Sequence, residues 1–137
     1  MKINADNLIA GRFATVAAKS ALLGENVEII NCATAVIGGD RKRIFAEYQR
    51  KRNLGTHRKG PFFIRQPDRF VKRLIRGMLP HRQDKGAKAL KRIMCYSGVP
   101  AGAKVEDYQS IEAAHVGKLK STKFVTIRDI CRNMGGK

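Results

Sequence analysis

His57, His81 and His115, with Cys32, Cys95 and Cys131, are the side chains best able to act as bases, nucleophiles or metal ligands, and none stands at a spacing those chemistries require. General-base catalysis needs a nucleophile and an orienting group within hydrogen-bond reach, and no local pattern around the histidines supplies both. His57 and His81 read instead as hydrogen-bonding members of basic loops. The cysteines are odd in number, far apart and without histidine at ligand spacing, which excludes a disulfide framework and argues against zinc. They read as reduced, buried thiols acting as small hydrophobes. Gly55 and Gly60 have the spacing of a phosphate-binding loop, but Pro61 follows where that motif needs lysine. Asn31 leads into Cys32-Ala33-Thr34-Ala35 rather than a glycine cradle, so no dinucleotide site is assigned either. The sequence therefore predicts no catalytic residue, no metal, no cofactor and no small-molecule substrate. An RNA-modifying enzyme, the alternative from another functional class, would need a cofactor pocket for which no residues are found.

What the chain has in quantity is positive charge. Residues 41–92 hold eighteen of its 28 lysines and arginines against three of its 11 acidic residues, so +15 of the net +17 lies in this stretch. Ordinary soluble surfaces mix both signs, whereas a one-signed stretch of this density suits a polyphosphate, whose condensed counterions are released on binding. Nucleic acid is the partner this implies. The expected contact residues are Arg41, Lys42, Arg43, Arg50, Lys51, Arg52, Arg58, Lys59, Arg65, Arg69, Arg73, Arg76, His81, Arg82, Lys85 and Lys88. Phe62 and Phe63 are interleaved with these cations. Exposed aromatics can stack on splayed bases, but a phenylalanine pair in a long loop reads more naturally as pinning it to the core.

These residues must be positioned by a fold, and the apolar pattern outlines one. Lys2 to Asn4 alternates as a short strand, and Phe13, Val16, Ala17, Ser20 and Leu23 recur at helical spacing until Gly24. The apolar run at 27–31 reads as a strand covered on both faces, making a parallel strand-helix-strand unit. Small residues at 32–39 permit close backbone approach but promise little core. Asp40 is placed to cap a helix that packs Ile44, Phe45 and Tyr48 and turns its cations outward. Residues 54–68 read as a loop. Pro67 and Asp68 open a helix with Phe70, Val71, Leu74, Ile75 and Met78 inward and Arg69, Lys72, Arg73 and Arg76 outward, ending near Leu79. Asp84 is expected to cap a short helix with Ala87 and Leu90 inward, leading to a strand at 93–96. The tail is looser until Phe124 and Val125, after which Thr126 and Asp129 start a helix that ends at Gly135-Gly136.

This order predicts an α/β class: a three-layer α/β/α arrangement on a small mixed or mainly parallel sheet. At 137 residues with 43% hydrophobic content, the chain is expected to form one domain over 1–137, with a core at about 1–100 and a C-terminal extension from about 101. The apolar run at 8–23 is broken by Arg12, Thr15, Lys19 and Ser20, so no spanning helix or secretory segment is expected and a cytoplasmic location follows.

Several motifs together resemble a known family. Arg76-Gly77-Met78-Leu79-Pro80-His81, then Gly86, Ala89-Leu90-Lys91-Arg92-Ile93 and Tyr96-Ser97-Gly98-Val99-Pro100, are similar to the signature of the universal large-subunit ribosomal protein number thirteen. Gly11-Arg12-Phe13-Ala14-Thr15, Ala18-Lys19 and the strand at 27–31 match the same family, so the resemblance spans roughly residues 1–100. Gly60-Pro61, Arg65, Pro67 and Arg69 resemble its archaeal and eukaryotic branch. The resemblance implies the three-layer fold, a structural role in the large ribosomal subunit, binding to large-subunit ribosomal RNA beside neighbouring ribosomal proteins, and no catalytic activity.

Overall fold

The computed structural model describes residues 1–136. Its centre is a three-stranded parallel sheet of β1 (Lys2–Asn4), β2 (Val27–Ile30) and β4 (Ile93–Cys95), in the order β1-β2-β4. Ile3 pairs with Ile29, and Val27 pairs with Ile93. Because side chains alternate across a strand, this register gathers these four fully buried residues on one face. The opposite face carries Lys2, Glu28 and Met94 beside Ile30, and the Tyr108 hydroxyl donates to Glu28 Oε2 at 3.1 Å across it. Asn31 ends β2 in the left-handed region (φ 57°), and its side-chain amide donates to Asn4 Oδ1 at 3.0 Å.

Helix α1 (Ala10–Leu22) makes the predicted crossover between the parallel strands β1 and β2. Its inner stripe is Ala10, Phe13, Ala14, Ala17, Ala18 and Ala21. The expected stripe was rotated from this one: Val16 and Ser20 are only half-buried, and Leu23, two residues and some 200° beyond Ala21, is 75% exposed. An alanine-lined face lets a neighbouring helix approach closely, and α3 (Pro67–Met78) lies against it. In α3, Phe70, Val71 and Ile75 are buried and Leu74 is half-buried, while Met78, expected inward, is 41% exposed.

Helix α2 (Arg41–Asn53) begins as predicted, with the Asp40 carboxylate accepting from the Arg43 amide at 3.4 Å. Helix α4 (Asp84–Lys91) departs from expectation at its start and on its inner face. Gln83 is the cap residue and Asp84 lies in the first turn, where its charge suits the helix dipole. The inward residues are Gly86 and Ala89, with Ala87 and Leu90 half-buried. Gly86 is placed there by need: a Cβ would stand 2.1 Å from the Pro80 carbonyl oxygen.

The small-residue segment contributes more than its composition suggested. Cys32, Ala35 and Val36 are fully buried, and residues 36–38 form a strand, β3 (Val36–Gly38), antiparallel to β5 (Phe124–Thr126). Neither its length nor an alternating pattern announced β3. Thr126 caps α5 (Ile127–Asn133) by accepting from the Asp129 amide at 3.2 Å, and Gly135 (φ 83°) follows the helix end. Ile127, Ile130 and Met134 are fully buried in the same core as β2 and α3, and α5 also packs on α2. The irregular stretch lies between β4 and β5, where three short 3-10 turns occur (Val105–Asp107, Glu112–Ala114 and Val116–Lys118). It is tied to α1 by Arg12, whose guanidinium donates to the Ala113 and Lys118 carbonyls at 3.0 and 3.4 Å.

Candidate nucleic-acid interface

Amphipathic helices sort charge from core, so the cations of residues 41–92 are driven to the surface wherever Ile44, Phe70, Val71, Ile75 and Ala89 are driven inward. Arg41, Lys42, Arg43, Arg50 and Arg52 on α2 are exposed, as are Arg58, Lys59 and Arg65 in the following loop. Arg69 and Arg76 on α3, His81 and Arg82 in the turn, and Lys85 and Lys88 on α4 are exposed too. Lys51 and Arg73 are only half-exposed.

Intramolecular neutralisation of this charge is slight. Among the described residues, Lys51 is the one cation of the stretch in an ion pair, 2.5 Å from Glu47 on the next turn. That hydrogen bond and the ammonium charge hold the Glu47 carboxyl below its ordinary value. Arg41, Lys42 and Arg43 occupy the first turn of α2 with no acidic residue there, opposing the helix dipole, a placement that costs about 0.3–1 kcal/mol per charge. Arg50, Lys51 and Arg52 sit favourably at the opposite end, roughly 15 Å away along the axis.

The loop at 54–66 brings separate cations together. Gly55 lies so close to Gly60 that a Cβ there would meet the Gly60 carbonyl at 1.9 Å, and Thr56 bridges Gly60, closing a tight bend. Beyond it Phe63 inserts between helices, with ring centroids 6.0 Å from Tyr48 and 6.5 Å from Phe70. Phe62, its neighbour, is 70% exposed, so the reading of both rings as loop anchors holds only for Phe63. Adjacent residues of an extended loop point opposite ways, and one inward ring sends the other out. Arg73 stacks over Phe63 at 4.7 Å and donates to the Phe62 carbonyl at 3.4 Å. It therefore serves the loop as well as the surface.

Two open grooves result. One, of about 490 Å³, is lined by Phe62, Ile64 and Leu90 with Arg69, Lys72, Arg73 and Arg76. The other, of about 430 Å³, is lined by Arg52, His57 and Arg65 with Phe62 and Phe63. Arg52 and Arg65 come from different elements but converge on the C-terminal end of α5, since a side chain at Gly135 would lie 3.8 and 3.6 Å from their guanidinium nitrogens. His81 and Arg82 line a smaller depression, of about 260 Å³, with Pro80. Lys72 and Phe62 belong to the first groove yet lie outside the residue set predicted from sequence. The helical pattern had already placed Lys72 outward, whereas nothing local distinguished Phe62 from Phe63.

Two of the three thiols are buried as expected. Cys32 and Cys131 are buried and Cys95 is half-buried. A hydrogen bond with Cys95, then burial, pushes the Cys32 thiol far up, and burial raises Cys131 to about 11. The His115 ring accepts from the Gly117 amide at 3.2 Å, a structural turn contact. No cluster of histidine, cysteine and carboxylate able to hold a metal occurs among the described residues. No helix among them is long and apolar enough to cross a membrane.

The family described as Ribosomal protein L13 matches residues 1–102, about three-quarters of the sequence. The chain belongs to the ribosomal protein L13 family. Curated relatives extend the match through the tail. The large ribosomal subunit protein uL13 of Methanococcoides burtonii is 44% identical, covering 98% of this chain and 97% of its own length. Proteins of the same name from Methanosarcina barkeri and Archaeoglobus fulgidus are 39% and 37% identical, covering 98% and 97% of this chain and 97% and 86% of their own lengths. The resemblance read from residues 1–100 is thus confirmed, and in these archaeal L13 relatives it includes the segment that carries β5 and α5. The relatives are named as proteins of the large ribosomal subunit.

Proposed function

We propose that this L13-family chain is a structural constituent of the large ribosomal subunit that grips large-subunit ribosomal RNA through its cationic surface. The names of its archaeal relatives support the ribosomal role and a place in the cytoplasmic ribosome. One observation carries the RNA reading: of the eighteen cations in residues 41–92, only Lys51 has a carboxylate partner among the described residues. Charges so concentrated repel one another until a polyanion neutralises them.

The sixteen residues named from the sequence are the proposed contacts, with Lys72 added from the first groove. Arginines such as Arg69 and Arg76 fork onto phosphate oxygens, while Lys85 and Lys88 act as point charges. Folded RNA is read largely by shape, so a rigid surface on α2, the 54–66 loop, α3 and α4 holds RNA segments together against their own repulsion. That is an assembly function, performed beside neighbouring ribosomal proteins and without a cofactor or substrate.

The test is equilibrium binding of the full chain to large-subunit ribosomal RNA transcribed in vitro, across a salt series. Affinity is expected to fall steeply, with a log-log slope near 0.7–0.9 per phosphate contact. A slope near zero refutes the reading. Equal affinity for duplex DNA in competition replaces it with non-specific compaction.

A further inference from the structure

Phe62 is the feature that charge alone does not explain. The residue is 70% exposed, although its neighbour Phe63 is pinned between Tyr48 and Phe70. The backbone under the ring is tied down, since the Phe62 carbonyl accepts from Arg73 at 3.4 Å. The ring edge leans over Gly60, where a side chain would crowd it: Cδ2 and Cε2 lie 3.1 and 3.2 Å from the position a Cβ would take. Phe62 and Pro61 also form the wall shared by the two grooves. One groove bears Arg69, Lys72, Arg73 and Arg76, the other Arg52, His57 and Arg65, and no carboxylate lines either. An aromatic ridge between two cationic troughs matches a single strand in which one base leaves its stack while the phosphates on either side remain charged. Stacking on an aromatic face tolerates any base, because every base has a π-face.

We propose that Phe62 is a stacking platform for one unstacked base of ribosomal RNA, with the flanking phosphates taken by Arg69, Lys72 and Arg76 on one side and by Arg52 and Arg65 on the other. The proposal rests on the RNA reading above and adds to it a site, a ligand conformation and an uncharged contact. Charge complementarity favours RNA over an apolar segment of a neighbouring protein, which would leave the arginines of both troughs unpaired.

The experiment compares the wild-type chain, Phe62→Ala and Phe62→Trp against the same ribosomal RNA transcript over a salt series. Phe62→Ala is expected to weaken binding roughly 5- to 150-fold, the span for one base stacked on an aromatic ring, with the salt slope unchanged because no charge is lost. Phe62→Trp is expected to bind at least as well as the wild type. The chain has no tryptophan, so this single reporter should be quenched on binding both the transcript and a ten-nucleotide adenylate strand. Because the side chain is largely exposed, the urea midpoint of either variant should stay near that of the wild type. A steep wild-type salt slope with unaltered Phe62→Ala affinity and an unquenched tryptophan overturns the platform and leaves the RNA reading standing. A flat wild-type slope removes both. Quenching by a neighbouring ribosomal protein in reconstituted subunits, but not by RNA, assigns the ridge to a protein contact and overturns the proposal.

Discussion

Replacing Gly86 with alanine should destabilise the fold, against the ordinary effect of that change in a helix. Gly86 lies in the first half of α4, and alanine is preferred to glycine in helix interiors by about 1 kcal/mol. Here the new Cβ would stand 2.1 Å from the Pro80 oxygen, 2.3 Å from its carbonyl carbon and 2.9 Å from the His81 amide nitrogen. These are backbone atoms and cannot rotate away. The same Pro80 oxygen accepts from the Gln83 amide at 2.9 Å, so moving it strains the turn that enters α4. Relief requires a separation of roughly 1 Å between α4 and the 80–83 turn, and overpacking of this kind costs about 1–3 kcal/mol or more. Because the clash is with backbone, the upper part of that range applies, about 2–3 kcal/mol, and after the helical gain of about 1 kcal/mol is subtracted a net loss of about 1–2 kcal/mol remains. Gly77→Ala is the control. Nothing lies within 4 Å of a Cβ at Gly77, which sits in the last turn of α3, so that variant should gain up to about 0.5 kcal/mol. Urea denaturation should show the two midpoints moving in opposite directions at an unchanged m-value. Movement in the same direction, or a Gly86→Ala variant as stable as the wild type, refutes the argument that the 80–83 turn is fixed by this contact. His81 and Arg82 ride on that turn, so Gly86→Ala should also weaken RNA binding while removing no charge.

Three further outcomes follow from burial and contacts. Ile75→Ala should cost about 2–5 kcal/mol by urea denaturation, whereas half-buried Leu74 should cost less; the reverse order would show that α3 is rotated. Arg69→Glu and Arg76→Glu should weaken RNA binding and reduce the salt slope while the far-UV circular dichroism stays unchanged, because both are exposed. Arg73→Glu should in addition lower the urea midpoint, since it removes the stack on Phe63 and the bond to Phe62; an unchanged midpoint would refute that double role. Finally, the Cys131 thiol is raised from 9.0 to about 11, so the unfolded chain releases this proton first. Its contribution is complete below pH 9 and is lost as pH rises towards about 11, and stability should fall more steeply over that window in the wild type than in Cys131→Ala. Parallel curves for the two proteins would contradict this.

What the sequence determined by itself is whatever local pattern and charge dictate. The parallel unit of β1, α1 and β2 was legible because one strand alternates, one helix has period 3.6 and Gly24 stops it (φ 104°). Asp40, Thr126 and Pro67 marked helix starts because capping acts over three or four residues. The cationic character of 41–92 needed no structure at all, and the family motifs lay in contiguous residues.

Tertiary structure decided what depends on partners distant in the chain. β3 became a strand only by pairing with β5, some ninety residues later, and its short small-residue sequence carried no period of its own. Leu23 stays 75% exposed, and Met78 reaches only the edge of α1, where its sulfur accepts from the Thr15 hydroxyl at 3.7 Å, facts set by helix docking rather than by pattern. Gly86 and Ala89, not the expected Ala87 and Leu90, form the inner face of α4, and glycine is required at 86 because the Pro80 carbonyl approaches there. Phe62 and Phe63 are chemically identical, and only the pocket between Tyr48 and Phe70 chose which ring is buried and which faces the two cationic grooves. Charge and periodicity are properties of a segment, whereas burial is a property of what packs against it.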